Sequence, residues 1–182
     1  PPKPMAVTAD AVMQAAASAG AMPPAFAEDP NWAAEGKFWR DKPPAWAESV
    51  PGLLRAYRKT QAPLRGSDKD ALGVHIYRHG DKVIMVGVSL LVSEMDQANA
   101  ERDFKTMKAV VAAASGHPEA ADWLDEAFAQ SQKLHEDYLA RETKAAEPGP
   151  QAWLPLVQKV FGEVRVAAYT GDVAGVFVLP NQ

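Results

Sequence analysis

The sequence predicts an α+β fold, a small antiparallel sheet of two β-hairpins at about residues 72–92 and 163–179 packed against helices. Three observations carry this. Two β-branched runs are each interrupted by a Gly-Asp pair, "VHIYRHGDKVIMVGV" and "VRVAAYTGDVAGVFV". Between them, residues 94–143 carry apolar side chains at three- and four-residue spacings, broken once by "SGHP", which is the pattern of an αα-hairpin. A chain of 182 residues with 47% hydrophobic and 23% charged side chains can build one domain with its own core.

The elements follow in order. Residues 1–7, "PPKPMAV", read as a linker or processed N-terminus, which leaves one domain over 8–182. In "TADAVMQAAASAG", Thr8 is a helix N-cap, Asp10 sits in the first turn and Gly20 is the stop. Residues 21–47 are too rich in proline for long regular structure, so they read as an irregular cover carrying Trp32, Trp39 and Trp46. "AESVPGLLRAYRKT" predicts a second helix, broken or restarted at Pro51.

The first hairpin turns at His79, Gly80 and Asp81, where glycine supplies a positive φ. Ser93 then caps a helix with Asp96 as its capping-box partner, and Phe104, Met107, Val110, Val111 and Ala114 form the apolar stripe. Gly116 is the residue after the helix end and Pro118 opens the next helix at its first position. Ala121, Leu124, Ala127, Phe128, Leu134 and Tyr138 give that helix its stripe. "AWLPLVQKVFG" reads as a last short helix feeding the second hairpin. Each hairpin would then follow a short helix, either as two copies of a helix-plus-hairpin unit or as convergent hairpin grammar, and the two could join as one four-stranded sheet.

Composition narrows the function. A net charge of -4 and a pI near 5.6 disfavour nucleic acid as partner, because phosphate binding needs clustered Lys and Arg. Absence of cysteine removes disulfides, thiolate catalysis and zinc–thiolate sites. No apolar run reaches the length of a transmembrane helix. No glycine-rich nucleotide loop, nucleophile elbow or EF-hand loop is present, so no cofactor is expected. His75 and His79 share a strand face but lie about 13 Å apart at about 3.3 Å per residue, too far for one ion. His117 and His135 have polar neighbours, and no metal site is expected. The acid groups at Asp122, Asp125 and Glu126, and at Glu136 and Asp137, read as solvated helix faces.

Arg78-His79-Gly80 resembles the Arg-His-Gly of the histidine phosphatase and phosphoglycerate mutase superfamily, and "GLLRAYRKTQA" is similar to that superfamily's "PLxRAxxTA" segment. The resemblance implies a phosphorylated His79 with Arg78 and Arg55 holding phosphate oxygens. Three features depart from it. The two segments occur in reversed order, Gly80-Asp81 turns straight into another strand, and neither His117 nor His135 ends a later strand. Turn chemistry therefore accounts for the tripeptide, and no catalytic residue beyond the candidates Arg78 and His79 is nominated.

Trp32, Trp39 and Trp46 with Arg40 are the binding candidates, either as a docking surface or as staples onto the core. The expected function is a non-catalytic binding or scaffolding domain of a bacterial envelope or regulatory system, with another protein or envelope component as partner. A periplasmic or other extracytoplasmic setting is favoured over the cytoplasm. The alternatives are a phosphatase-like hydrolase using His79 and Arg78, and a small-molecule sensor with a pocket between sheet and αα-hairpin.

Overall fold

A computed structural model describes residues 3–19, 27–28, 58–62, 72–91, 97–142, 155–171 and 173–181. The helices are α1 (Ala9–Ala19), α2 (Gln97–Ser115) and α3 (Pro118–Glu142). The strands are β1 (Ala27–Glu28), β2 (Arg58–Ala62), β3 (Leu72–His79), β4 (Lys82–Leu91), β5 (Val157–Phe161), β6 (Val164–Tyr169) and β7 (Val173–Pro180). They form one sheet in the order β1-β2-β3-β4-β7-β6-β5, antiparallel at every step. The fold is α+β, as the sequence predicts.

Both expected hairpins are present, and β4 and β7 join them side by side, Val86 opposite Val178 and Val88 opposite Val176. The sheet exceeds the expected four strands because each hairpin gains a preceding strand and β1 pairs outside β2. Val157–Phe161, expected as the end of a short helix, is β5. Its apolar residues fit helical spacing, but Gly162 has φ +58 and lets Phe161 turn back onto Val164, so Val157 and Val160 extend along β6 instead. The expected second helix is corrected at its end: Arg58–Ala62 is β2, paired along β3 from Arg58–Arg78 to Ala62–Val74. The polar "RKTQA" has little strand pattern of its own, and β3 supplies the ladder. The rest of that segment lies outside the described residues. Each hairpin thus completes a three-stranded meander, β2-β3-β4 and β5-β6-β7.

The three helices among the described residues lie on one face of the sheet. Leu72, Val74 and Ile76 of β3, Val86, Val88 and Leu90 of β4, Val176 and Val178 of β7, and Val166 of β6 point into one core with Val12 of α1, Met107 and Val110 of α2, and Leu124 of α3. A β-bulge makes this possible in β4. Tyr77 pairs with Met85 and Arg78 with Val83, leaving Ile84 as the extra residue. Strict alternation would send Val83 and Val86 to opposite faces; the bulge returns Val83 to the helix side.

The helix ends follow the predicted grammar. Ala11 N donates to Thr8 Oγ1 at 3.1 Å, the N-cap bond. Gly116 has φ +72 and its N–H donates to Ala112 O at 3.0 Å. Pro118 is the first residue of α3. Ser93 and Asp96, the expected capping pair, lie outside the described residues, as does Gly20. The apolar stripe of α3 is shorter than expected: it is buried from Ala120 to Ala127 and ends at Ser131, while Leu134 is 43% exposed. Ser131 itself is fully buried and ties three segments together. Its hydroxyl donates to Pro155 O and accepts from Thr170 N, both at 2.7 Å.

The segment expected as a lead-in contains a core residue. Met5 is buried in the helix-side cluster and its N–H donates to Val83 O at 2.7 Å. Lys3 reaches Glu163 Oε2 at 3.2 Å. The start of the chain is thereby held against the β3–β4 hairpin and the β5–β6 turn.

Candidate functional site

Of the residues nominated from sequence, Arg78 and His79 lie among the described residues. Arg78 and His79 close β3, opposite Val83 and Lys82, and the exposed Gly80-Asp81 pair turns the chain into β4. Gly80 has φ +61, and a Cβ added there would touch nothing. The backbone around the tripeptide is therefore that of an antiparallel hairpin. Trp32, Trp39, Trp46, Arg40 and Arg55 lie outside the described residues. No group of three or more His, Asp or Glu side chains able to hold a metal occurs among the described residues. Among those residues no helix is long and apolar enough to cross a membrane.

Two other places emerge. The first is the sheet face opposite the helices. Register puts Gly73, Ser89, Gly175 and Tyr169 in one cross-strand row, with His75, Gly87, Phe177 and Ala167 in the next. Glycine at these positions lets side chains lie flat on the sheet. The Tyr169 ring covers Gly175, the His75 imidazole sits over Gly73, and Phe177 and Tyr77 flank Gly87. Tyr169 and Phe177 stack with centroids 5.8 Å apart. Burial pushes the Tyr169 hydroxyl up to about 12. His75 Nε2 lies 3.4 Å from Ser89 Oγ, a diagonal pair on adjacent strands that sequence spacing alone does not reveal. A serine beside an imidazole is a nucleophile–base pair, and acyl transfer would also require donors aimed at the developing oxyanion.

The second place is a groove of about 710 Å³ at one end of the helical layer. Three segments form its walls: Lys3–Val7, the α2–α3 turn, and the β5–β6 turn with the start of β6. Its concavity comes from small side chains where the turns meet. Ala113, Gly116 and Gly162 line it, two of them glycines because their backbones take positive φ. Met5, Val7 and Val164 give an apolar floor.

The polar groups at the rim are largely satisfied within the chain. Ser115 Oγ donates to His117 O at 3.2 Å and accepts from His117 N at 3.1 Å. His117 Nδ1 meets Glu119 Oε1 at 2.9 Å, and the imidazole rests against Gly162, where an added Cβ would approach its Nε2 to 2.7 Å. The contact with His117 and a backbone hydrogen bond hold the Glu119 carboxyl below the ordinary range, the backbone bond having the larger part. Lys3 and Glu163 complete the rim as an ion pair. In the sequence "SGHP" is legible as a helix break, whereas "FGEV" sits at the end of an expected helix, and only the fold brings the two turns together.

No family model, no curated protein and no solved structure matches this chain.

Proposed function

We propose that this chain is a non-catalytic binding domain whose ligand occupies the groove between Lys3–Val7, the α2–α3 turn and the β5–β6 turn. The observation that carries the reading is the pairing of an apolar floor with a rim whose polar groups already bond one another. Such a wall favours burial of an apolar body and offers little to activate a reacting bond. A volume of about 710 Å³ suits a compact small molecule.

Thermal unfolding across a panel of small apolar ligands tests this. A ligand that binds the native state raises the melting temperature in proportion to its occupancy. Ala113→Phe, which fills the groove from the half-buried side of α2, is expected to remove that rise. A rise that persists unchanged in the filled variant overturns the assignment. Generic phosphate and ester substrates are expected to show no turnover that His79→Ala or Ser89→Ala abolishes; such a loss would replace binding with catalysis.

A further inference from the structure

We infer that the sheet face opposite the helices is a docking surface for a segment of this same chain, the proline- and tryptophan-rich residues 29–57. The inference does not depend on the groove. Three positions on adjacent strands of that face carry it: Met85 of β4 is 1% exposed, Leu179 of β7 2% and Ala167 of β6 0%. None of them belongs to the core under α1, α2 and α3. A strand side chain stands roughly perpendicular to its sheet, so its cross-strand neighbours shield its flanks and leave its tip open. Tips buried this fully need a layer above them, and no helix or strand among the described residues supplies one. Tyr77 of β3 is buried on the same face, which carries the cover across four strands.

Connection, length and composition select the occupant. β1 and β2 are antiparallel neighbours with Glu28 opposite Thr60, and such a pair needs only a short turn. Residues 29–57 join them instead, leaving and returning at one edge of the sheet. Half of that length extends about 45 Å at about 3.3 Å per residue, whereas the five steps from β1 to β6 cover about 24 Å. The segment therefore has the reach to cross to β6 and come back. Its Trp32, Trp39 and Trp46 each bring about 150–250 Å² of ring surface to bury, with Phe38, Leu53 and Leu54 beside them. Residues 20–26, 63–71 and 92–96 are each shorter than ten residues and hold at most two large apolar side chains. Residues 143–154 run from α3, on the helix side, to β5 at the far edge. On this inference the three tryptophans are staples onto the sheet, not an exposed docking surface.

Photo-cross-linking on the full chain tests this. Benzoylphenylalanine replaces Phe177, which is half-buried on that face. A second variant carries it at the exposed Gln158, in the same cross-strand row, should the first fail to fold. Irradiation of dilute protein followed by peptide mapping is expected to give a product of single-chain mass, joined to residues 29–57. The same group at Glu126, exposed on α3, is expected to mark 29–57 several-fold less. Equal marking from both positions overturns the inference. So do links from the sheet face that reach only another segment, a product of twice the chain mass, or no link beyond the sheet itself.

Discussion

The two faces of the sheet are built on different rules. The face under the helices is aliphatic almost throughout, with Val, Leu and Ile from β3, β4, β6 and β7 meeting Met107, Val110 and Leu124. The opposite face sets glycines under rings and carries the His75–Ser89 pair, among buried Met85, Ala167 and Leu179. On the first face each side chain contributes through its own buried area. On the second, a residue contributes by being absent at Cβ so that a neighbour on the next strand can occupy the space. Substitutions should therefore act on single residues on one face and on pairs on the other.

The largest effect is expected on the helix side. Leu124→Ala removes a fully buried side chain from α3 and should destabilise the fold by about 2–5 kcal/mol, read as a lower urea midpoint with unchanged slope. An effect below about 1 kcal/mol would break the contrast, because such a loss is typical of surface positions.

Gly175→Ala comes next. Its Cβ would collide with the Tyr169 ring, and the expected cost is about 1–3 kcal/mol. Tyr169→Ala should relieve most of that penalty, so a double-mutant cycle is the proper measurement. Additive losses would show that the glycine serves some other purpose.

Tyr169 also gives a pH signature. The fold favours its neutral phenol, so this contribution is complete below about pH 10, the ordinary value, and is lost as pH rises through about 12. Tyr169→Phe should remove that alkaline loss, and the tyrosinate absorbance of the native protein should show one group ionising late.

The smallest effect has the opposite sign. At Gly87 an added Cβ would sit at ordinary contact distance from Phe177 and Tyr77, 3.5 and 3.6 Å away. Gly87→Ala should then be neutral or stabilise by up to about 1 kcal/mol, since the unfolded chain loses freedom. Melting temperatures of Gly87→Ala and Gly175→Ala, measured together, sharpen the distinction between a glycine under a ring and a glycine between rings.

Much of the helix-side face was legible because its signals are local. Thr8, Gly116, Pro118 and the β-branched runs each announce a cap, a stop, a start or a strand within a few residues. The missed strands had no such signal. Arg58–Ala62 is polar and becomes β2 because β3 offers it a partner. Val157–Phe161 fits two periodicities, and only the turn at Gly162 decides between them. The groove and the Ser89–His75 contact were illegible for a related reason. Both arise where separate segments meet, Lys3 with Glu163 across the chain and β3 with β4 across a ladder. The turns at Gly80 and Gly116 could be read, but what they face could not.

The seam between β4 and β7 has a kinetic consequence. Each meander closes over short distances in the chain, whereas the pairing of Val86 with Val178 must wait for the αα-hairpin and β5-β6 to be spanned. Joining distant positions is entropically slow, so docking of the two half-sheets should limit the rate of folding. Trimming the seam at Val88→Ala is then expected to slow refolding, whereas trimming Leu124 should mainly hasten unfolding.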